Sequence, residues 1–112
     1  MGVKMGLDAW IYISKNGHTE EAAYWRKHHL LNSHMLHLYI RQSPDWVETD
    51  DFNGGRLFLT QEDIDKILVL IEDGEFDDEY WYDEEKNKDI ETFKRLKELI
   101  EDCYVVYYFC SY

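Results

Sequence analysis

The chain has 112 residues, of which 24 are acidic and 12 are basic, so its formal net charge is −12. Hydrophobic residues make up 45% and aromatic residues 16% of the chain, which allows one folded core and excludes a disordered acidic tail. The charge disfavours direct binding to DNA, RNA or membrane surfaces, and it favours basic proteins or cations as partners.

The first predicted element is a strand over Leu7–Ser14, whose β-branched and aromatic residues alternate between two faces. The side chains on both faces are expected to be at least half buried, as in a central strand.

The next element is predicted to be a helix over Thr19–Gln42, because a hydroxyl cap and two acids precede an apolar stripe and a Ser-Pro pair follows it. His28 and Asn32 fall on that stripe.

The middle of the chain predicts a turn, a short strand and a second helix. Residues 53–55 read Asn-Gly-Gly and predict a hairpin-type turn before a strand over Arg56–Leu59, with residues 46–49 as its candidate partner. Thr60 and Asp63 have the spacing of a capping box, which predicts that the second helix begins there.

The C-terminal part predicts a third helix from about Lys88 to Glu101 and a last strand from Tyr104 to Tyr112. The acidic residues before that helix are predicted to form a loop, with a candidate short strand around residues 80–82. The order of elements predicts a single α+β domain over residues 1–112, with three helices packed on a small mixed sheet. We expect the first and last strands near the centre of the sheet, and a monomer or weak homodimer.

The two cysteines, Cys103 and Cys110, are expected to be reduced. Both fall in the terminal stretch CYVVYYFCSY, residues 103–112, which is typical of a strand; seven residues of strand span roughly 23 Å and point the two side chains to opposite faces. They cannot bond to each other, and we expect both to be small core residues in a reducing compartment.

The N-terminus does not resemble a signal peptide, and no run approaches the roughly 20 apolar residues of a membrane span, so a cytoplasmic location is expected.

The negative charge is concentrated in one segment. Residues 45–85 contain sixteen acids and two bases, whereas residues 1–44 carry a net charge of +2 and residues 86–112 are balanced. Within that segment, residues 72–85 read EDGEFDDEYWYDEE.

Two interpretations of this acidic run remain open. It could be a solvated loop that keeps the protein soluble, or a surface on which carboxylates imitate phosphates and aromatic rings imitate bases. In the second case charge speeds capture and the rings anchor the complex. The partner-binding residues would be Asp77, Asp78, Glu79, Tyr80, Trp81, Tyr82, Asp83, Glu84 and Glu85. The run lacks the spacing of an EF-hand calcium loop.

A second candidate site combines Asp8, His28 and Asn32. The helix that carries His28 and Asn32 is expected to pack against the strand that carries Asp8. These residues could form a buried histidine–carboxylate contact. They could instead hold one divalent metal, most plausibly zinc. His34 and His37, on the outer side of the same predicted helix, are a further candidate zinc pair.

Three short motifs at the ends of the chain resemble a family of small phage and prophage proteins. They are MGLD over residues 5–8, YWRKH over residues 24–28, and a YYxxS-aromatic ending over residues 107–112. The family has a second histidine where this chain has Asn32. The resemblance implies a phage or mobile element in a bacterial cell, a setting in which small acidic proteins are often inhibitors of host defence, including anti-CRISPR proteins.

These observations predict a non-enzymatic phage inhibitor. It would bind a basic host protein such as a Cas nuclease through the acidic and aromatic run and block loading of nucleic acid. The alternative is a small metal-binding or hydrolytic phage protein centred on Asp8 and His28, and a third possibility is an assembly or scaffold protein that forms a stable oligomer. We assign no catalytic residue, since no serine lies in a nucleophile elbow and both cysteines lie in an apolar strand.

Overall fold

The computed structural model describes residues 6–43, 49–77 and 83–112. The α+β class with three helices is confirmed. In chain order the elements are β1 (Asp8–Lys15), β2 (His18–Arg26), α1 (His29–Gln42), a short 3-10 helix (Thr49–Phe52), β3 (Arg56–Phe58), α2 (Gln61–Glu72), α3 (Asp83–Glu101) and β4 (Val105–Ser111).

The four strands form one sheet in the order β2-β1-β4-β3. The first and last strands of the chain are therefore central, as predicted. All three strand pairs are antiparallel, so the prediction of a mixed sheet is wrong in that detail. One isolated parallel bridge joins Asn53 to Cys110 outside the paired strands.

The predicted helix over residues 19–42 is wrong in its first part, because residues 18–26 form β2. Asn16 and Gly17 both have positive φ angles, 54° and 81°, as the two central residues of a type I′ hairpin turn do. This turn folds the chain back on β1 and pairs Lys15 with His18. Thr19 is consequently not a helix cap. Its hydroxyl donates a hydrogen bond to Ser14 Oγ at 3.0 Å.

The turn at residues 53–55 has Gly54 at a φ of 84° and leads from the 3-10 helix into β3. The Gly54 N–H donates to the carbonyl of Cys110 at 2.8 Å, which fixes the turn beside β4. Of the predicted partner strand, residues 46–48 lie outside the described residues and Thr49 begins the 3-10 helix.

The core lies between the three helices and one face of the sheet. Alternate strand residues enter it, as the period of two requires. The largest fully buried side chains include Ile11 and Ile13 of β1, Tyr108 of β4, Leu31 and Met35 of α1, Ile64, Ile67 and Ile71 of α2, and Phe93 and Leu96 of α3.

None of the helices in residues 6–43, 49–77 and 83–112 combines the length and apolarity needed to cross a membrane.

The two cysteines are free, as predicted, but they occupy different environments. Cys110 is buried, and burial raises the pKa of its thiol to about 11. Cys103 is exposed and lies in the turn after α3, with a φ of 68°. The prediction that both cysteines belong to the core is therefore wrong for Cys103.

The helix α3 begins at Asp83, five residues before its predicted start. Its first turn contains three acids, Asp83, Glu84 and Glu85. Negative side chains at this position interact favourably with the positive end of the helix dipole. The last part of the acidic run is thus the beginning of a helix and not a loop.

The capping box of α2 is confirmed. The Asp63 N–H donates to Thr60 Oγ1 at 3.1 Å, and the Thr60 N–H donates to Asp63 Oδ2 at 3.0 Å. Two backbone donors that the helix cannot satisfy internally are therefore paired.

We expect Thr60→Ala to lower the free energy of unfolding by about 1 kcal/mol, because one of these backbone donors loses its acceptor. Urea denaturation followed by circular dichroism measures the change. Thr60→Ser keeps the acceptor and is the control, with a loss well below that of alanine. Equal losses for serine and alanine would show that the hydroxyl does not act as a cap.

Candidate functional site

The face of the sheet that points away from the helices is lined with aromatic side chains. Strand residues alternate between the two faces, so the neighbours of the core residues in β1 and β4 point outward. The outward aromatic residues come from all four strands and are called the aromatic face below. They are Trp10, Tyr12, Tyr24, Phe58, Tyr107 and Phe109.

The rings of the aromatic face form one connected surface. Trp10 lies 5.6 Å from Tyr24 and 5.7 Å from Phe109, measured between ring centroids. Tyr107 lies 5.5 Å from both Tyr12 and Phe58. The two outermost rings are the most open to solvent, with Tyr24 48% and Phe58 51% exposed. The face therefore presents contiguous apolar surface to solvent across the whole width of the sheet.

Charged side chains at the border of the aromatic face are balanced in number, with Arg26 and Arg56 against Asp8 and Glu21. The Arg56 guanidinium lies 5.2 Å from the centroid of the Tyr107 ring, a cation–π distance. Asp8 is paired with Arg26 in the β1–β2 register and accepts a hydrogen bond from the Tyr24 hydroxyl at 2.6 Å, which raises the pKa of Tyr24. The net negative charge of the chain thus resides elsewhere on the molecule.

A cleft of about 350 Å³ lies beside this face, between β2 and α3. One wall consists of residues 21–28, and the other consists of Glu85, Lys88, Asp89 and Thr92. We call it the β2–α3 cleft.

A buried hydrogen bond lies at the base of the β2–α3 cleft. Trp25 Nε1 donates to Asp89 Oδ2 at 2.9 Å, and each of the two residues is 7% exposed. The Trp25 ring also stacks on Phe93, with 5.9 Å between centroids. The pairing of an indole donor with a carboxylate satisfies two polar groups that would be costly to bury separately, and it ties β2 to α3.

The three residues of the predicted metal site have different neighbours. Asp8 accepts from Tyr24 at the border of the aromatic face. His28 is buried, with its ring edge-on to Phe76 at 6.2 Å. Asn32 Oδ1 accepts from the Tyr108 hydroxyl at 2.6 Å. In the described parts of the chain, no three His, Cys, Asp or Glu side chains are grouped so as to hold a metal ion. The metal site stays a prediction that this geometry does not support.

The predicted partner-binding run is described only at its ends. Asp78, Glu79, Tyr80, Trp81 and Tyr82 lie outside the described residues. Of the others, Asp77 is exposed and lies 3.2 Å from Lys86 Nζ, Asp83 and Glu84 are exposed, and Glu85 lines the β2–α3 cleft. Partner binding through this run stays a prediction.

The predicted zinc pair on α1 consists of one exposed and one partly buried histidine. His37 is exposed, whereas the His34 ring packs against Phe76 at 5.6 Å. Burial is the largest of the causes that lower the pKa of His34 below its ordinary value of about 6.5. A zinc site at this pair stays a prediction.

Comparison with protein families, curated proteins and solved structures finds no match for this chain. The resemblance to phage proteins stays a prediction.

Neither the aromatic face nor the β2–α3 cleft follows from the elements predicted from the sequence. Both depend on β2, which was predicted as helix. The dipeptide Asn16-Gly17 after an alternating strand is a strong hairpin signal, and it could have revealed that Trp10 and Tyr24 are cross-strand neighbours.

We expect Asp89→Leu to lower the free energy of unfolding by roughly 1–3 kcal/mol, because the buried Trp25 N–H loses its acceptor. Chemical denaturation measures the change. In Trp25→Phe the donor is absent, so adding Asp89→Leu to that variant should be less costly than adding it to the wild type. Additive losses in this double-mutant cycle would contradict the importance of the hydrogen bond.

We also expect the stability of the fold to fall as the pH drops below about 6.5, because unfolded His34 takes up a proton more readily than folded His34 does. His34→Gln should weaken this dependence, as measured by urea denaturation between pH 7.5 and pH 5. His37→Gln changes an exposed histidine of the same helix and is the matched control. An unchanged dependence in His34→Gln would contradict the assignment.

Proposed function

We propose that this protein is a non-enzymatic binding protein that docks a basic partner protein on its aromatic face. The observation that carries the proposal is the contiguous set of six aromatic rings, drawn from all four strands, on the side of the sheet opposite the helices.

Contiguous apolar surface on a monomer is typical of interaction sites. Tyrosine, tryptophan and arginine are the side chains that most often dominate binding energy in protein interfaces. The aromatic face combines these types: Trp10 lies among tyrosine and phenylalanine rings, and Arg56 covers Tyr107.

The charge of the molecule supports a basic partner. The border of the aromatic face is balanced, but exposed acids surround the helical side. They include Glu62, Asp65, Glu72, Asp73, Glu75, Asp83 and Glu84. A net charge of −12 attracts cationic proteins from a distance and accelerates their encounter. Charge would thus speed association, and the rings would supply the affinity.

The same net charge disfavours the other known use of an aromatic sheet, which is stacking of single-stranded nucleic acid. Such sites place their aromatic residues in a positively charged groove. Here the two arginines on this side of the sheet, Arg26 and Arg56, are equalled in number by the acids Asp8 and Glu21, so the face is not positively charged. We therefore propose a protein partner.

The end motifs that resemble phage proteins support a more specific proposal. The basic partner would be a host defence protein that itself binds nucleic acid, such as a Cas nuclease. Occupation of its cationic surface by this protein would prevent loading of RNA or DNA.

Biolayer interferometry with purified Cas nucleases, each measured both free and guide-loaded, tests the proposal. We expect the wild type to bind the free form, with an association rate that falls as salt rises. Phe58→Ala and Trp10→Ala should each weaken binding by about tenfold or more, as interface anchors do. Val69→Ala removes an equally exposed apolar side chain from α2 (55% exposed) and is the matched control.

Binding that neither aromatic variant weakens would contradict docking on the aromatic face. Binding of single-stranded oligonucleotides that Trp10→Ala abolishes would assign the face to nucleic acid instead. Circular dichroism establishes that each variant is folded before binding is compared.

A further inference from the structure

The strand β2 forms one edge of the sheet. In the order β2-β1-β4-β3 it has one neighbour, β1, and no further strand lies beyond it within residues 6–43, 49–77 and 83–112. Edge strands present backbone donors and acceptors on which another strand can form. In this protein the edge is also one wall of the β2–α3 cleft.

The hydrogen-bond pattern shows which backbone groups of β2 point away from β1, toward the open edge of the sheet. The Lys27 N–H donates to the carbonyl of Leu7 at 2.6 Å, and Ala9 is paired with Trp25. In an antiparallel ladder, residues that bond to the neighbouring strand alternate with residues that do not. The N–H and C=O groups of Tyr24 and Arg26 therefore point away from β1.

The opposite wall of the cleft is one stripe of α3. Glu85, Lys88, Asp89 and Thr92 are spaced as i, i+3, i+4 and i+7, which places them on one face of a helix. On β2, the small side chains of Ala22 and Ala23 leave space between the walls. The volume of about 350 Å³ is within the range of ligand-binding clefts.

The two walls of the cleft are joined at its base, and the extended conformation of β2 ends near one end of the cleft. The hydrogen bond from Trp25 to Asp89 holds the two walls together. At Lys27 the backbone adopts a φ of 60°, which ends the extended conformation and limits how far an added strand can pair. A preformed cleft of this kind reduces the entropy cost of binding.

The charges that line the cleft cancel. Its acids are Glu21, Glu85 and Asp89, and its bases are Arg26, Lys27 and Lys88. An occupant is therefore recognised mainly by its main chain and not by its net charge.

We propose that the β2–α3 cleft is a second binding site, which takes an extended polypeptide segment as an additional strand paired with β2. Its geometry is that of domains that capture a peptide between an edge strand and a helix. The peptide is of low net charge, and its backbone exchanges hydrogen bonds with Tyr24 and Arg26. This site is separate from the proposed docking of a basic partner on the aromatic face.

A random peptide display library panned on the purified protein tests this proposal. We expect it to yield peptides whose binding slows amide exchange at Tyr24 and Arg26 and changes little between 50 and 500 mM salt. N-methylation of alternate peptide backbone nitrogens should abolish binding, because it removes the donors that pair with β2. The experiment with N-methylated peptides uses the wild-type protein, so it does not depend on the folding of any variant.

Thr92→Trp fills the cleft from α3 and should weaken peptide binding by about tenfold or more. Glu91→Trp introduces the same side chain at an exposed position of α3 outside the cleft and should bind as the wild type does. Failure to select any peptide would overturn the proposal, as would peptides that tolerate both Thr92→Trp and N-methylation. Peptides lost in Phe58→Ala but retained in Thr92→Trp would also overturn it, and they would assign peptide binding to the aromatic face.

Discussion

The tight turn at Asn16 and Gly17 determines which surfaces this protein offers. Positive φ angles at both residues reverse the chain within two residues, and the following segment pairs with β1. Because side chains alternate along a strand, Trp25 enters the core while Tyr24 points to solvent. In a helix the same residues would lie 100° apart, and neither the aromatic face nor an exposed edge beside α3 would exist.

The aromatic face also contributes to the stability of the sheet. Cross-strand pairs of aromatic rings contribute roughly 0.2–1 kcal/mol each, and Trp10, Tyr12, Tyr107 and Phe109 form such pairs across β1 and β4. The central rings therefore stabilise the sheet and are also available for contact with a partner. Phe58, on the short edge strand β3 and half exposed, has fewer neighbours, so its contribution to binding can be separated from its contribution to folding.

Local signals in the sequence were sufficient for part of the fold. The spacing of Thr60 and Asp63 fixed the start of α2, and the composition of the two end strands indicated that they were central. The segment after Gly17 was misassigned because glutamate, alanine, arginine and lysine have high helix propensity, and because Tyr24 and Leu31 fit a helical stripe. Pairing with β1 outweighed that propensity, since strand formation depends on tertiary context.

The β2–α3 cleft was beyond prediction from local patterns for a different reason. Its base depends on a hydrogen bond between Trp25 and Asp89, residues 64 positions apart. Asp89 has the sequence environment of an exposed helical acid. Its burial follows only from the way α3 crosses the end of β2, which no periodicity in either segment encodes.

The two proposed sites meet on one strand, and this has a thermodynamic consequence. The backbones of Tyr24 and Arg26 face the cleft, while their side chains border the aromatic face. A peptide added beside β2 would widen the sheet and place its own outward side chains next to the Tyr24 ring. A protein docked on the aromatic face would contact those side chains, so the two ligands would change each other's affinity by the same factor, upward if the contact is favourable and downward if it is not. An edge strand that carries an exposed aromatic ring thus allows a small domain to join two binding events without a change of fold.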